Sequence, residues 1–245
     1  MPYRKEQFVN GEIYHIIIRG LDDRLIFKDI DDYYRVVFSL YEFNDANPVS
    51  IKHRREIRAR LKESIRGRAS DGSSIEILEK DKRKKIIEVL AFCFMPNHVH
   101  LLIRQVKENG IHDFMVKLGG GYGGYFNRRY KRKGYVFQNR FKSVHIKDDN
   151  QFKIVVPYIF TNPLALTDPG FKEKGVKSFE KSKKFLESYK WSSYQDCIGI
   201  KNFPSVTGRE FLLEVMGGQE GCKEAVENWV KHKEEIHKFP EILLD

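Results

Sequence analysis

The sequence has few cysteines and no long apolar run. Its three cysteines, Cys93, Cys197 and Cys222, are odd in number and widely separated, a pattern that indicates neither a disulfide framework nor a CxxC zinc site. No stretch approaches the ~20 apolar residues of a membrane helix, and the first segment, MPYRKEQFVNGEIYH, lacks the apolar core of a signal peptide. We therefore expect a cytoplasmic protein with no membrane partner.

Positive charge is what the chain has in excess. It contains 44 Lys and Arg against 34 Asp and Glu, which gives a net charge of +10. Such an excess favours a polyanionic partner, because each phosphate that a cation neutralises releases counterions. A basic surface without a partner would have the same composition, so the position of the charges along the chain has to distinguish the two interpretations.

The apolar pattern predicts a β-α-β-β-α-β order followed by a helix. In chain order, the predicted elements cover residues 12–18, 29–44, 86–95, 98–106, 110–133, 136–147 and 149–161. This order is the split βαβ arrangement. We therefore predict an α+β fold with a ferredoxin-like antiparallel sheet and helices on one face.

Two segments lie outside this pattern. Residues 45–85 are interpreted as a basic insertion in a domain of residues 1–200. Between Lys52 and Arg68 they hold eight Lys or Arg and two Glu, and the turn-like SDGSS follows. This composition predicts a basic helix and then a flexible loop; the helix either contacts a nucleic-acid backbone or forms only a solvated face. Residues 201–245 carry two further helical patterns and are predicted to form a helical C-terminal extension.

Two predicted helices contain residues that disfavour a helix interior. GGGYGG at residues 119–124 interrupts one of them, and each interior glycine costs about 1 kcal/mol. This predicts either a mobile kink or the close approach of another backbone. Pro157 lies inside the last helix of the sheet domain, where it removes a backbone hydrogen bond and predicts a kink.

His98-Val99-His100 places two imidazoles one residue apart, directly after a Pro-Asn turn. On a strand, residues i and i+2 point to the same face, so both rings can converge on one divalent ion while Val99 packs on the other face. By itself an HxH tripeptide is a weak signal, because a histidine in a sheet is often only a hydrogen-bonded polar residue. The surrounding hydrophobic hairpin favours the metal interpretation, since Val, Thr or Leu would be expected there.

The run AFCFMPNHVHLLI at residues 91–103 closely resembles the signature of the IS200-like, single-tyrosine HUH transposases, and is nearest to the branch of REP-associated tyrosine transposases. Further blocks that match this family follow one another in order between residues 14 and 194. They are YHIIIRG at 14–20, IF at 26–27, DDY at 31–33, YFNRRY at 125–130, Gly134, FQ at 137–138, RFKS at 140–143, YI at 158–159, NP at 162–163 and WSSY at 191–194. The insertion at 45–85 and the tail after about residue 205 lie outside the resemblance.

The resemblance implies a transposase that nicks and rejoins single-stranded DNA near hairpins with Mg²⁺ or Mn²⁺, as a monomer or a homodimer. Tyr158 matches the nucleophile that leaves a 5′-phosphotyrosine link and a 3′-hydroxyl. His98 and His100 match the metal pair, and Asn162 matches the position of a third ligand, one helical turn beyond the tyrosine. Two features depart from the family: Pro157 precedes the nucleophile, and LALTDP at 164–169 replaces a basic continuation.

A second basic cluster supports a DNA partner. Residues 128–142 contain seven Lys or Arg and no acidic residue, and aromatic residues alternate with the cations. Cations for phosphates and aromatic rings for stacked bases are what single-strand binding requires, although a solvated helix end beside core aromatics has the same composition. The predicted DNA-binding residues are Arg128, Arg129, Lys131, Arg132, Arg140 and Lys142. His15, His112 and His145 are interpreted as structural or surface residues.

Two alternatives remain beside the enzyme. One is a non-catalytic regulator that is derived from such a transposase and binds DNA hairpins. The other is a ribonuclease or RNA-binding protein built on the same sheet, because a fold does not determine a function.

Overall fold

The computed structural model describes residues 7–69, 81, 83–138 and 140–231. Within them the chain forms a four-stranded antiparallel sheet in the order β2-β3-β1-β4. The strands are β1 (Ile13–Arg19), β2 (Ile87–Met95), β3 (His98–Gln105) and β4 (Lys142–Ile146). This strand order is that of the split βαβ arrangement, so the predicted fold class is confirmed.

Helices surround the sheet. They are α1 (Ile30–Phe43), α2 (Ile51–Ala69), α3 (Gly110–Arg129), α4 (Asp149–Thr161), α5 (Phe171–Lys174), α6 (Phe179–Ser188), α7 (Tyr194–Cys197), α8 (Arg209–Met216) and α9 (Gly218–Lys231), and short 3-10 turns cover Leu21–Asp23 and Asn162–Leu166. In the part of the chain that the structure describes, no helix combines the length and apolarity needed to cross a membrane.

An apolar core lies on each face of the sheet. Even-numbered residues of β1, such as Ile16, point to the face covered by α1 and α3, the two helices of the split βαβ unit. The opposite face carries Leu102 and Ile146 and packs against α4 and the C-terminal helices α8 and α9. Helices therefore cover both faces of the sheet, whereas the sequence predicted the helices of the sheet domain on one face, because α4 packs on the face opposite to α1 and α3. Up to residue 231, the predicted C-terminal extension is thus helical and shares one core with α4, while its boundary at residue 200 stays a prediction.

Helix α1 begins where the sequence predicts. The Asp29 side chain accepts hydrogen bonds from the backbone nitrogens of Asp31 and Asp32, at 3.0 and 3.2 Å, which is the usual way to satisfy the first turn of a helix. The buried face contains Val37, whereas Tyr34 is 42% exposed and lies outside it.

Helix α3 runs without interruption through its glycines. A Cβ at Gly121 would overlap the ring of Phe43 on α1, whereas a Cβ at Gly120 would meet nothing within 4 Å. The prediction of a kink is therefore wrong. The predicted close approach to the helix does occur at Gly121, but the group that approaches is the side chain of Phe43 rather than another backbone.

We expect Gly121→Ala to lower the free energy of unfolding by about 1–3 kcal/mol, because a well-packed core has to shift to admit a methyl group. Gly120→Ala is the matched control. Its methyl group has room, and alanine favours the helix by up to ~1 kcal/mol over glycine. Denaturant unfolding measures both variants, and equal effects would contradict the packing role of Gly121.

The basic helix predicted within residues 45–85 is α2, and it is tied to α1. Arg54 and Arg58 form ion pairs with Glu42, at 3.5 and 2.9 Å, and Arg54 also pairs with Asp45 at 2.8 Å. Both acids are buried, so these two arginines fix the helix. The predicted loop that begins at residue 70 lies outside the described residues.

Candidate active site

The turn between β2 and β3 is held against the end of β1, which fixes the start of the histidine strand. The carbonyl oxygen of Pro96 accepts from the backbone nitrogen of Ile26 at 2.9 Å, and that of Asn97 accepts from Gly20 at 2.7 Å. A Cβ at Gly20 would overlap the carbonyl oxygen four residues further on. Glycine is therefore required here. The hydrogen-bonded turn fixes the position of His98, the first residue of β3.

His98 and His100 project from the same face of β3, and their ring centroids lie 4.9 Å apart. His100 is fully buried, and Val99 packs into the core on the opposite face. The alternation of the strand thus places the two imidazoles as the sequence predicted.

Hydrogen bonding at Nδ1 orients the first imidazole. His98 Nδ1 lies 2.7 Å from Asn97 Oδ1. Because a carbonyl oxygen only accepts, Nδ1 carries the proton, and the lone pair of the neutral ring is on Nε2. Histidines that bind metals usually donate their other ring N–H in this way.

The donor set fits a divalent ion. Nε2 of both His98 and His100 is buried, and two imidazoles suit Mn²⁺ or another transition ion. Among the described residues, no group of three or more His, Cys, Asp or Glu is placed to hold a metal ion. Within the described ranges, an amide can therefore supply a further ligand, beside water and substrate oxygens.

Helix α4 places Tyr158 against His100, the second histidine of the pair. Asp148 begins the helix by accepting from the backbone nitrogen of Gln151 at 2.8 Å, and the helix continues through Pro157 to Thr161. Tyr158 is 5% exposed, and its ring contacts the His100 ring edge-on with centroids 5.7 Å apart. The structure thus brings together the predicted nucleophile and the predicted metal pair.

Asn162 stabilises the end of α4. Its Nδ2 donates to the carbonyl oxygen of Tyr158 at 2.9 Å, and the side chain is buried. This bond uses the amide nitrogen, whereas a cation would bind Oδ1. The role of Asn162 as a metal ligand stays a prediction.

His15 belongs to the site, although its sequence context indicated only a structural or surface residue. It is fully buried, its Nε2 lies 3.1 Å from His100 Nδ1, and its ring also contacts Tyr158 edge-on at 5.7 Å. Alternation along β1 predicts which residues share its face, but only the pairing of Ile17 with His100 shows that His15 is adjacent to the site. His145 instead pairs with Glu12 at 2.6 Å.

Trp229 on α9 packs against the other side of Tyr158, with ring centroids 6.3 Å apart. This residue lies in the predicted C-terminal extension, outside the resemblance, and no motif indicated that it would reach the site. Together with the burial of Tyr158 and His100, this contact shows that α9 covers the site.

Arg19 and Lys142 lie on the sheet face of the histidines, close to His98 and His100. Arg19 pairs directly with His98 across the strands, and Lys142 pairs with Ile17. Residues directly opposite in an antiparallel pair have their Cβ atoms about 4.5–5.5 Å apart. Lys142 was predicted to bind DNA, whereas Arg19 was not. Arg19 also forms an ion pair with Asp23 at 3.2 Å.

Most of the other predicted DNA-binding residues lie at the end of α3 and in the segment that leads to β4. Arg129 differs from them because it joins an acidic group at the start of α1. Its guanidinium pairs with Asp29, Asp31 and Asp32 at 2.8, 3.2 and 3.3 Å. Burial and a hydrogen bond to Asp32 raise the pKa of Tyr130 in the same group. Arg129 thus has a structural role, and DNA contact by it stays a prediction.

The fold and the site define an α+β protein of the split βαβ type, with two histidines on one sheet face and a tyrosine on a helix that packs against it. Residues 50–162 match the model of the family described as "Transposase IS200 like", which confirms the resemblance that the motifs indicated. The matched range contains α2, β2, β3, α3, β4 and α4, and with them His98, His100, Tyr158 and Asn162.

One solved structure to which the chain is similar is described as "Structure of the REP associates tyrosine transposase bound to a REP hairpin". The two share 11% sequence identity, the similarity covers 83% of this chain and 90% of that chain, and the TM-score is 0.45. No curated protein matches the chain.

Proposed function

We propose that the chain is a metal-dependent single-stranded DNA endonuclease and transposase that nicks and rejoins DNA near hairpins. The observation that carries this proposal is the contact of the Tyr158 ring with His100, whose ring in turn contacts His98 on the same sheet face. The match to IS200-like transposases supports it, because the matched range contains all three residues.

In the proposed reaction the phenol oxygen of Tyr158 loses its proton and attacks a DNA phosphorus. The bond from phosphorus to the 3′ oxygen breaks, the 3′-hydroxyl leaves with a proton, and the 5′ phosphate stays on the tyrosine. With a pKa of about 10 for an ordinary phenol, tyrosine is also a good leaving group, so a 3′-hydroxyl can reverse the step and join strands. Mg²⁺ or Mn²⁺, held by His98, His100 and Asn162, would polarise the phosphate oxygens and stabilise the charge of the transition state.

The cations would hold the DNA backbone. Lys142 and Arg19 lie on the sheet face of the histidines, and they would meet the phosphates nearest the site. Arg128, Lys131, Arg132 and Arg140 would continue the contact along the strand or hairpin. The net charge of +10 supports a polyanionic partner of this kind.

We expect Lys142→Ala to reduce the slope of log K against log salt by about 0.7–0.9, since one phosphate contact contributes about 0.7 on single-stranded DNA and about 0.9 on a duplex stem. Arg129→Ala should leave the slope unchanged and lower the midpoint of thermal unfolding, because its guanidinium joins α3 to α1. Fluorescence anisotropy of a labelled hairpin at several salt concentrations measures the first effect. An equal loss of slope in both variants would contradict the separate roles.

Covalent trapping tests the proposed enzyme. The protein is incubated with labelled single-stranded hairpin DNA and Mn²⁺ or Mg²⁺, and a denaturing gel then reports any protein–DNA adduct. An adduct supports the proposal, and the absence of an adduct with both metals would refute catalysis.

The second candidate, a hairpin-binding regulator, is favoured by one observation: Trp229 covers a tyrosine that is only 5% exposed. Hairpin binding without an adduct would support it.

A further inference from the structure

We propose that His15 is a positioning residue that fixes the tautomer of His100 and so directs Nε2 of His100 to the cation. This inference rests on the proposed function for the presence of a cation at His98 and His100. Its basis is the 3.1 Å separation of His15 Nε2 and His100 Nδ1 between two fully buried rings.

The strand register holds His15 in place. Ile17 is directly opposite His100 and His15 is directly opposite Leu102, so His15 is the diagonal neighbour of His100 on the same sheet face. The two rings are nearly parallel, with an interplanar angle of 12° and centroids 5.3 Å apart. Because both side chains stand on paired strands, their hydrogen bond does not depend on a loop.

A hydrogen bond between two imidazole nitrogens requires a proton on one and a lone pair on the other. If His15 Nε2 held the proton, neutral His100 would carry its own proton on Nε2 and could not bind a cation there. If His100 Nδ1 holds it, Nε2 of His100 has the lone pair. Asn97 imposes the second arrangement on His98. Only the same arrangement at His100 gives two adjacent rings that both offer an Nε2 lone pair to the cation.

His15 would thus do for His100 what Asn97 does for His98. Its ring also contacts the Tyr158 ring, so His15 lies beside both His100 and the proposed nucleophile. If His15 only filled the core, leucine could replace it without any effect on His100. A positioning role instead requires a side chain that forms a hydrogen bond with His100, so substitution distinguishes the two roles.

Nuclear magnetic resonance of the imidazole nitrogens in the metal-free protein reads the tautomer directly. We expect His100 to carry its proton on Nδ1 in the wild type and in His15→Gln, because the glutamine carbonyl oxygen can accept that proton. In His15→Leu the fixed tautomer should be lost. His145→Leu is the matched control, since His145 contacts Tyr14 and Glu12 rather than the site, and it should leave His100 unchanged.

Titration with Mn²⁺, followed by electron paramagnetic resonance, gives the second readout. His15→Leu should weaken Mn²⁺ binding about 10–100-fold, the usual effect of removing a hydrogen-bond partner of a metal ligand. His15→Gln should retain most of the affinity. If His15→Leu does not fold, the spectra of the wild type and of His15→Gln still test the predicted tautomer of His100.

A wild-type His100 with its proton on Nε2 would overturn the inference. So would a folded His15→Leu protein with an unchanged tautomer or unchanged Mn²⁺ affinity. A wild type with the expected tautomer that forms no DNA adduct supports the inference and refutes the proposed enzyme, so the two failures are distinguishable.

Discussion

The Tyr158→Phe protein is expected to form no covalent adduct with hairpin DNA under conditions in which the wild type forms one. The phenol oxygen is the only atom removed, and in the proposed reaction it makes the bond to phosphorus. Phenylalanine keeps the ring contacts with His15, His100 and Trp229. The variant should therefore fold and should still bind the hairpin, and a denaturing gel beside a binding assay measures both properties.

Tyr194→Phe is the matched control for that experiment. Tyr194 is 1% exposed and lies in the same core as Tyr158, where its ring contacts Phe160 on α4. Loss of this hydroxyl should leave adduct formation unchanged. An adduct that persists in Tyr158→Phe would move the nucleophile to another residue, and equal losses in both variants would indicate a general effect on the core.

The predictable part of the site is the part that local periodicity determines. Alternation in a strand places His98 and His100 on one face whatever surrounds them, and the spacing of α4 places Asn162 one turn beyond Tyr158. The Pro-Asn turn likewise predicts the hairpin that presents the histidines. For this reason β2, β3 and the order of the sheet could be inferred before the structure.

The missed part depends on pairings between distant segments. His15 reaches His100 only because β1 pairs with β3 in one register, and a shift by one residue would turn it to the other face. Trp229 reaches Tyr158 because α9 packs on α4. Arg129 has the same local sequence context as Arg128, yet an acidic group on α1 binds it.

Removing either imidazole of the proposed metal pair should abolish Mn²⁺ binding and adduct formation together. The loss should exceed the 10–100-fold effect that is typical of an outer hydrogen bond, because a direct ligand disappears. His112→Ala is the control, since His112 is exposed on α3, and it should behave as the wild type. Retention of Mn²⁺ affinity in His98→Ala or His100→Ala would show that these histidines are structural.

The free energy of unfolding should differ between His98→Ala and His100→Ala. His100 is fully buried and hydrogen-bonded to the buried His15. His100→Ala therefore leaves a buried polar nitrogen without its partner, at a cost of about 1–3 kcal/mol. His98 is partly exposed and its partner Asn97 lies in a turn, so water can replace the lost bond. We expect His98→Ala to lose the metal with little change in the free energy of unfolding, and His100→Ala to lose both. Equal stabilities would mean that the bond between His15 and His100 contributes nothing to the fold.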